Sequence, residues 1–344
     1  AQERVQGVEI FTTTEAYDPI RYEGAFIVAD AWRELGLDVT VTPLEFRTLL
    51  DRFYSEQNFD AVILGWSGRV DRLDPQFFLG TLDSRQTGLG ANNPGGYTNP
   101  DYDALFDAQS REFDIAARQA IVHEMQDVYM GDVPVVILFH RDEVVAYNNT
   151  TFENMNAMAG EGLYSEWVPM EARPVGERRT LRIGGPQEPD NVNPLASTSV
   201  WGWKWMRLYY DRLVRLSPEV EPVPWMATSV EAVDDVTIDV TLREGMKWHD
   251  GQPVTAADVA FTFGYYMASE YSYFNAYLAP VASVEATGDL TVRFNLNAPS
   301  APFATISLSQ IPILPQHIWE GIENPGDLTP EQIPTVSSGP FAFA

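Results

Sequence analysis

Along residues 1 to about 90, stretches whose apolar residues recur at helical spacing alternate with short stretches of strand-like pattern. Ile27, Ala31 and Leu35 recur on one helical face, and Gly36 supplies a C-terminal stop. Short apolar or strictly alternating runs between such stretches are typical of strands. We therefore predict strands at Val8–Thr12, Leu37–Thr42 and Ala61–Trp66, and helices at Tyr22–Leu35 and from Phe46 to Phe53. This order predicts an α/β lobe with a mostly parallel sheet.

The next stretch continues with a loop, two helices, two strands and a linker. The segment GLGANNPGGYTN, residues 88–99, has the composition of a loop. Proline and mixed charge in Glu166–Arg179 indicate a linker. Helices are predicted at Asp101–Gln109 and Ala116–Met130, and strands at Val135–Phe139 and Thr180–Gly184.

Two later runs alternate apolar with polar residues, and each predicts a half-buried antiparallel strand. The first run ends at Leu242 and the second covers Leu290–Leu296. Between them, Asp250 and Gly251 predict a tight turn, and Thr255 with Asp258 predicts a capping box that starts a helix. The inward face of this helix is expected to carry Val259, Phe263 and Tyr266.

Composition narrows the function classes. The 344 residues carry 49 acidic and 22 basic side chains, a formal charge of −27, and this surface repels nucleic-acid phosphates. The chain has no cysteine, which excludes disulfides and thiol catalysis within it. No apolar run reaches the eighteen residues of a membrane span. Because the chain starts at Ala1 with no signal-like segment, we expect that a signal was removed or that the sequence is a fragment.

Several segments together resemble one family. TLREGMKWHDGQPVTAADVAFTF, Thr241–Phe263, resembles the signature region of the solute-binding proteins that serve ABC importers, in the dipeptide- and oligopeptide-binding group (family 5). The other matching segments are Phe59–Phe78, Tyr97–Asp114, Gly131–Tyr147, Thr180–Leu195, Pro222–Asp235, Ile313–Trp319 and Val336–Phe343. In the last segment, Ser337 and Ser338 depart from the family pattern V-G-T-G-P-F.

The order of these segments is unusual, because C-terminal-type segments precede N-terminal-type ones. The chain is either a window across two tandem receptor copies or a permuted, shortened receptor. The resemblance implies an α/β fold with type II periplasmic-binding-protein lobes and mixed sheets, partial or permuted. The expected parts are 1–100, lobe II with the hinge; 101–168, the C-terminal part of lobe I; 169–179, a linker; and 180–344, the N-terminal part of lobe I with an extra α+β subdomain.

The resemblance also implies a function. A periplasmic or extracellular receptor would bind small peptides between its lobes and deliver them to an ABC permease, without catalysis, cofactor, nucleic-acid partner or membrane insertion. Related receptors accept a nickel chelate, haem, an opine or an oligosaccharide, so these ligands stay open. A secreted glycoside hydrolase with paired carboxylates is the alternative from another class. A third alternative is that the piece does not bind, because part of the second lobe is absent.

The first candidate site is Gly65–Phe78, which follows an apolar strand, where ligands of open α/β sheets bind. The resemblance gives Asp71 the role of binding the peptide α-ammonium group, with Asp74 as its rival. Alternatively, Asp71 pairs with a neighbouring arginine and Asp74 opens a helix. Trp66 either covers the ligand or packs under the loop. Arg69 either meets a ligand carboxylate through two hydrogen bonds or forms a surface ion pair.

The second candidate site is STSVWGWKW, Ser197–Trp205, which offers hydroxyl groups and an aromatic wall. The predicted contacts there are Ser197, Ser199, Trp201 and Trp203. The alternative is a helix start with tryptophans in the core. By the same resemblance, Asn93 and Tyr97 are expected to line the cleft.

Sequence motifs for metals, nucleotides and acyl transfer are not matched. His123-Glu124 lacks a second histidine at metalloprotease spacing, and Gly65-Trp66-Ser67-Gly68 is not a nucleophile elbow. Carboxylates are too numerous for any pair to indicate acid–base catalysis. Nothing in the sequence therefore suggests a metal site, and the expectation of a binding protein rests on the resemblance.

Overall fold

The structure, a computed structural model, describes residues 7–66, 68–142, 144–185, 188, 191–197, 199–269 and 274–342. Its contacts divide the chain into two units, each assembled from separate segments. Unit 1 comprises Ala1–Gly68, Pro75–Ala108 and Gln119–Ile137, and unit 2 comprises Arg69–Asp74, Gln109–Arg118 and Leu138–Ala344. The division differs from the expected boundaries at 100, 168 and 179, which stay a prediction.

Unit 1 contains the parallel sheet that the sequence predicts. Its strands are β1 (Val8–Thr13), β2 (Val39–Leu44) and β3 (Ala61–Val62), in the order β2-β1-β3 and all parallel. Helix α1 (Pro19–Glu34) begins at Asp18, whose carboxylate accepts a hydrogen bond from the Arg21 amide at 3.1 Å. Its small residues Ala25 and Ala29 pack with Ile10 and Val39 in one core cluster.

The rest of unit 1 is helical. Helix α2 (Phe46–Leu50) continues into a π-helical turn at Asp51–Ser55, and α3 (Pro75–Gly80) follows. The longer helices are α4 (Pro100–Arg111) and α5 (Ile115–Asp132), and their facing ends, Gln109–Arg118, belong to unit 2. Leu82, Tyr102, Phe106 and Met125 form the second core cluster of this unit. The predicted helices are confirmed with ends within a few residues.

Unit 2 begins its regular structure with short pairings. Strand β4 (Phe152–Glu153) pairs with β5 (Arg173–Pro174), and α6 (Trp167–Glu171) lies between them in sequence. The predicted linker, Glu166–Arg179, therefore contains the short helix α6 and the strand β5. Helix α7 (Val200–Tyr209) precedes the antiparallel pair β6 (Val214–Leu216) and β7 (Pro222–Pro224).

The main sheet of unit 2 is antiparallel, as the alternating pattern predicts. Its order is β10-β11-β9-β8, with β8 at Ala227–Asp234, β9 at Thr237–Leu242, β10 at Val281–Ala286 and β11 at Thr291–Leu296. Helix α8 (Ala256–Ala268) packs against this sheet through Val259, Phe263 and Tyr266, all fully buried. The remaining helices are α9 (Asn275–Leu278), α10 (Ser307–Gln310) and α11 (Gln316–Trp319).

One buried carboxylate, that of Asp258, joins the starts of α8 and α11. Its Oδ2 accepts hydrogen bonds from the Thr255 amide at 2.9 Å and the Thr255 hydroxyl at 3.0 Å. Its Oδ1 accepts from the Gln316 amide at 2.9 Å. The predicted turn is present as well, with Gly251 at a φ of +91° that favours glycine. The family-like motif around Asp258 is therefore architectural.

Two strand predictions are wrong. Neither Val135–Phe139 nor Thr180–Gly184 has strand structure, and the side chains from Val135 to Phe139 are 45–67 % exposed. Composition alone does not make a strand, because its backbone groups need the hydrogen bonds of a neighbouring strand. Among the described residues, no strand pairs with either segment.

In the part of the chain that the structure describes, helices long and apolar enough to cross a bilayer are absent.

Replacement of Asp258 by alanine removes the two carboxylate oxygens that accept three hydrogen bonds from the half-buried Thr255 and Gln316. We expect Asp258→Ala to lower the free energy of unfolding by about 2 kcal/mol, since hydrogen bonds to charged groups contribute about that much. Urea unfolding followed by far-UV circular dichroism measures it. Asp235→Ala, at an exposed position, is the matched control and should change stability by less than about 0.5 kcal/mol. Equal effects from both variants would contradict the linking role of Asp258.

Candidate functional site

A recess opens in unit 2 beside the first turns of α7. The helix begins at Ser199, whose hydroxyl oxygen accepts from the amide of Trp201 at 3.2 Å. Val200, Trp203 and Arg207 recur at i, i+3 and i+7, so they share one helical face. The recess has a volume of about 320 Å³ including its open mouth, and its lining is Arg69, Glu161, Val200, Trp203, Arg207, Phe274 and Gln310.

The polar side of the recess is built around Arg207. Its Nη1 donates to Oε1 of Glu161 at 2.8 Å, and its Nη2 donates to Oε1 of Gln310 at 2.8 Å. Glu161 is only 3 % exposed, so this ion pair is shielded from solvent. The amide nitrogen of Gln310 donates in turn to the Ser309 hydroxyl at 2.9 Å. Segments that are far apart in sequence thus meet at one guanidinium.

A tight turn places Glu161 at the recess. Met158 and Gly162 exchange backbone hydrogen bonds at 3.0 and 2.8 Å. Gly160, between them, has a φ of +73°, and a Cβ atom there would lie 2.6 Å from Cδ2 of Leu73. Only glycine therefore lets this turn pack closely against the residues that follow Arg69.

Arg69 reaches the recess from the chain just before the 3₁₀ turn Val70–Arg72. Val70 is buried with Met158 and Leu216, which places Arg69 next to the turn that carries Glu161. The apolar side is formed by Trp203, which is 5 % exposed, and Phe274, with ring centroids 4.4 Å apart in an edge-on arrangement. The recess therefore joins an aromatic wall to charged groups, the usual composition of a small-ligand site.

A buried ion network lies just after α7 in the chain. Glu166 accepts hydrogen bonds from the guanidinium groups of Arg212 and Arg215. Arg215 also donates to Asp211 at 2.8 Å, and its guanidinium carbon lies 4.0 Å from the centroid of the Trp225 ring. Burial alone would raise the pKa of Glu166, but the two arginines hold it below its ordinary value.

The network is not fully satisfied. Nε and Nη1 of Arg212 and Nε of Arg215 are buried without a hydrogen-bond partner among the described residues. Desolvation of these guanidinium groups is therefore offset mainly by the carboxylates, which makes Glu166 the acceptor that the burial of both arginines requires.

The residues predicted for the first site lie in different places in the structure. Arg69 lines the recess. Asp74 is 7 % exposed and receives two hydrogen bonds from Arg118, at 2.6 and 3.0 Å, and one from the Thr305 hydroxyl at 2.7 Å. The side chain of Asp71 lies outside the described part of the structure. Trp66 belongs to unit 1, is 46 % exposed and meets Phe77 edge-on at 5.3 Å.

The residues of the second predicted site also divide. Trp203 lines the recess, whereas Ser199 caps α7 and Ser197 is buried. The ring of Trp201 meets Tyr164 edge-on at 5.0 Å, and the Lys204 ammonium lies 5.2 Å from its centroid. A role for these residues in binding stays a prediction.

Asn93 and Tyr97 lie together in unit 1. The amide nitrogen of Asn93 donates to the carbonyl oxygens of Asp83 at 3.1 Å and Tyr97 at 2.8 Å, and Asn93 is 2 % exposed. The Tyr97 hydroxyl donates to Asp132 at 2.7 Å, and burial together with this contact raises the pKa of Tyr97. These bonds shape the loop before α4, so their part in ligand contact stays a prediction.

Glu161, Arg207, Gln310, Val200 and Phe274 were not predicted from the sequence. The spacing of Val200, Trp203 and Arg207 on one helix was the signal available for two of them. For Glu161 and Gln310, no motif or spacing in the neighbouring sequence indicates that they line the recess. Among the described residues, no group of three or more histidine, aspartate or glutamate side chains is placed to hold a metal ion.

Comparison with known proteins covers parts of the chain. Residues 221–344 match the family of bacterial extracellular solute-binding proteins, family 5 Middle. A protein of Brucella ovis named as an ABC transporter peptide-binding protein is 34 % identical over 192 residues, which is 53 % of this chain and 34 % of that protein. The oligopeptide-binding protein AppA of Bacillus subtilis is 29 % identical over 168 residues, 47 % of this chain and 31 % of that protein.

Solved structures give similar partial coverage. AppA from Bacillus subtilis in complex with a nonapeptide matches with a TM-score of 0.41 at 29 % identity, over 45 % of this chain and 31 % of that one. NikZ from Campylobacter jejuni in complex with Ni(L-His) matches with a TM-score of 0.40 at 26 % identity, over 46 % and 31 %. The chain thus spans about a third of the length of the relatives it matches.

Glu166→Gln should break the buried network, because the neutral amide leaves Arg212 without a counter-charge and Arg215 with Asp211 alone. We expect a loss of about 3–5 kcal/mol in the free energy of unfolding at pH 7, measured by urea unfolding. Glu177→Gln, at an exposed glutamate, is the control and should have little effect.

The stability difference between wild type and Glu166→Gln should depend on pH. The pKa of Glu166 is lowered in the folded state, so its contribution is complete above the ordinary glutamate pKa of about 4.3 and disappears as the pH falls through the folded-state pKa. The stability gap between wild type and Glu166→Gln should therefore be constant from pH 7 to about 5 and shrink below about 4.3. A gap that narrows from pH 7 downwards would contradict the network.

Proposed function

We propose that the chain is the extracytoplasmic substrate-binding component of an ABC importer for di- or oligopeptides. The match of residues 221–344 to the bacterial extracellular solute-binding proteins of family 5 supports this proposal. The names of the Brucella ovis and Bacillus subtilis relatives, both peptide-binding, support this ligand class. The protein would present bound peptide to a membrane permease and catalyse no reaction.

The structural observation that carries the proposal is the recess beside α7. Trp203 and Phe274 offer apolar surface, and Arg69, Glu161, Arg207 and Gln310 offer donors and acceptors. A peptide has the matching mixture of apolar side chains, amides and terminal charges. Fixed polar groups beside an aromatic wall hold and orient such a ligand, and delivery to a permease requires no covalent change in it.

Within this proposal, the peptide α-ammonium group is bound by Asp71 and not by its rival Asp74. The carboxylate of Asp74 already accepts three hydrogen bonds, two of them from the half-buried guanidinium of Arg118. A ligand ammonium would have to displace this ion pair. Asp71 lies two residues from Arg69, which lines the recess, so it is near the ligand along the chain.

The first experiment is thermal melting of the 344-residue chain against di- to pentapeptides, with free amino acids, oligosaccharides and nickel–histidine as comparison ligands. At a ligand concentration of 100 times the dissociation constant, peptides should add about 2.7 kcal/mol of stability. Trp203 lies in the recess, so tryptophan fluorescence should change in the same titration. A cooperative melt that no peptide shifts would overturn the peptide assignment, and a shift with nickel–histidine or a sugar alone would replace it.

The second experiment separates the two aspartates. Asp71→Asn should abolish the stabilisation by free peptides and leave the unliganded melt near wild type. Asp74→Asn should instead lower the unliganded stability by about 2 kcal/mol, because Arg118 loses its charged partner, and should keep peptide binding. Amino-terminally acetylated peptides should bind neither protein well. If Asp74→Asn loses binding while Asp71→Asn keeps it, the assignment is reversed.

A further inference from the structure

We propose that Val135–Phe139 of one chain pairs as a β-strand with Thr180–Gly184 of a second copy, and that two such reciprocal pairs form a closed dimer. Both segments have the sequence pattern of a strand, and among the described residues neither has a strand partner. The surface includes none of the residues that line the recess beside α7, so this inference is independent of the proposed function.

The first segment, Val135–Phe139, presents five consecutive apolar side chains to solvent. Their exposed fractions lie between 45 and 67 %. A continuous apolar run is typical of a strand that is covered on both faces. Among the described residues, its main-chain N–H groups donate no hydrogen bond, and the only carbonyl in use is that of Val135, which accepts from the Tyr129 hydroxyl. The segment therefore combines apolar surface with unpaired main-chain groups, which is how an open strand edge attracts another chain.

The second segment, Thr180–Gly184, already has the burial pattern of a strand on a surface. Leu181 and Ile183 are half-buried, whereas the three residues beside and between them are exposed. This alternation turns one face to the protein and the other to solvent. Its main-chain groups likewise form no hydrogen bonds with other described residues. The segment can therefore receive an added strand along its edge.

Charge favours pairing between the two different segments over pairing of either segment with its own copy. Residues 130–142 contain two aspartates and one arginine, and residues 177–184 contain three arginines and one glutamate, so their net charges are −1 and +2. Self-pairing about the central residue brings two aspartates together beside the first segment and sets Arg182 against Arg182 in the second. Like charges directly opposite each other destabilise a strand pair. Pairing between the two segments instead brings opposite charges together.

The number of residues involved indicates a reversible dimer. The two segments provide ten residues in each copy. This is fewer than the roughly 20–30 residues a side of a stable interface. Two reciprocal pairs related by a two-fold axis use both segments of both chains, so no segment stays open for a third copy. We therefore expect a closed dimer with a dissociation constant of about micromolar or weaker.

Sedimentation velocity of the 344-residue chain between about 1 and 100 μM tests the assembly. We expect a monomer–dimer equilibrium whose dimer fraction rises over this range. A chain that stays monomeric throughout, or forms assemblies that grow beyond two copies, would overturn the closed dimer.

A charge substitution and its rescue test which residues meet. Ile137 and Arg182 are the central residues of their segments, so they lie opposite each other in either strand direction. Ile137→Lys sets a cation against Arg182 twice in each dimer and removes buried apolar surface, which should weaken dimerisation at least about tenfold. Adding Arg182→Glu should recover at least about threefold of that loss. A double variant that dimerises no better than Ile137→Lys would reject this pairing.

Leu89→Lys is the matched control for Ile137→Lys, because Leu89 is also an exposed apolar residue, at 73 %. It should leave the dimerisation constant within about twofold of wild type. Ile137 and Arg182 are exposed as well, so their variants should melt as wild type does. Equal weakening by Leu89→Lys and Ile137→Lys would show a general effect of charge and contradict the proposal.

Cysteine cross-linking distinguishes pairing between copies from pairing within one copy, since the chain has no cysteine of its own. A tagged Ile137→Cys chain and an untagged Arg182→Cys chain are coexpressed and oxidised mildly. Opposite residues of a strand pair lie within disulfide reach, so we expect the mixed disulfide to form at least about tenfold faster than either symmetric one. Leu89→Cys in place of Ile137→Cys should give little mixed product.

Two results would reject the dimer. In the first, the coexpressed chains give no mixed disulfide, while a chain that carries both Ile137→Cys and Arg182→Cys closes a disulfide within itself; the segments then pair inside one copy. In the second, the symmetric disulfide of Ile137→Cys forms fastest, and the first segment then pairs with its own counterpart.

Discussion

Unit 2 depends on the burial of one carboxylate, that of Glu166, between Arg212 and Arg215. Two guanidinium groups with almost no solvent exposure are tolerable only beside a counter-charge, and Glu166 comes from a different segment than the arginines. The network therefore joins the chain around α6 to the chain after α7. Glu161 lies five residues before Glu166, and Arg207 lies five residues before Arg212. The buried ion pair Glu166–Arg212 is therefore repeated at the recess by the ion pair Glu161–Arg207.

Local patterns predicted most of the secondary structure. The spacing of apolar residues gave α1 and the strands of the parallel sheet, and strict alternation gave β9 and β11, because these elements bury one face that the sequence displays. The capping box was visible because its two residues, Thr255 and Asp258, lie only three positions apart. The strand predictions were wrong for Val135–Phe139 and Thr180–Gly184, because a strand also needs a hydrogen-bonded neighbour. The residues of a segment do not show whether such a neighbour is present elsewhere in the chain.

The recess was predictable only in part. Arg69 was named because its segment follows an apolar strand, and Trp203 because its segment carries three tryptophans and resembles a loop that lines the cleft in the family. Glu161 and Gln310 reach the recess from a glycine-containing turn and from a short helix, and their neighbours in space are far away in sequence. Asp74 shows the converse limit, since its partner Arg118 is equally remote and the aspartate looked available from sequence alone.

The repetition of the acid–base pair has an evolutionary consequence. The inner pair, Glu166 with Arg212, is buried in the core, whereas the outer pair, Glu161 with Arg207, lines the recess, and the same two segments carry both pairs. Under the proposed function, changes at Glu161, Arg207 or Gln310 are expected to alter ligand preference while Glu166 and Arg212 keep the scaffold assembled. Descendants of this protein would then change their ligands through substitutions in the outer pair, and selection for folding would act mainly on the inner pair.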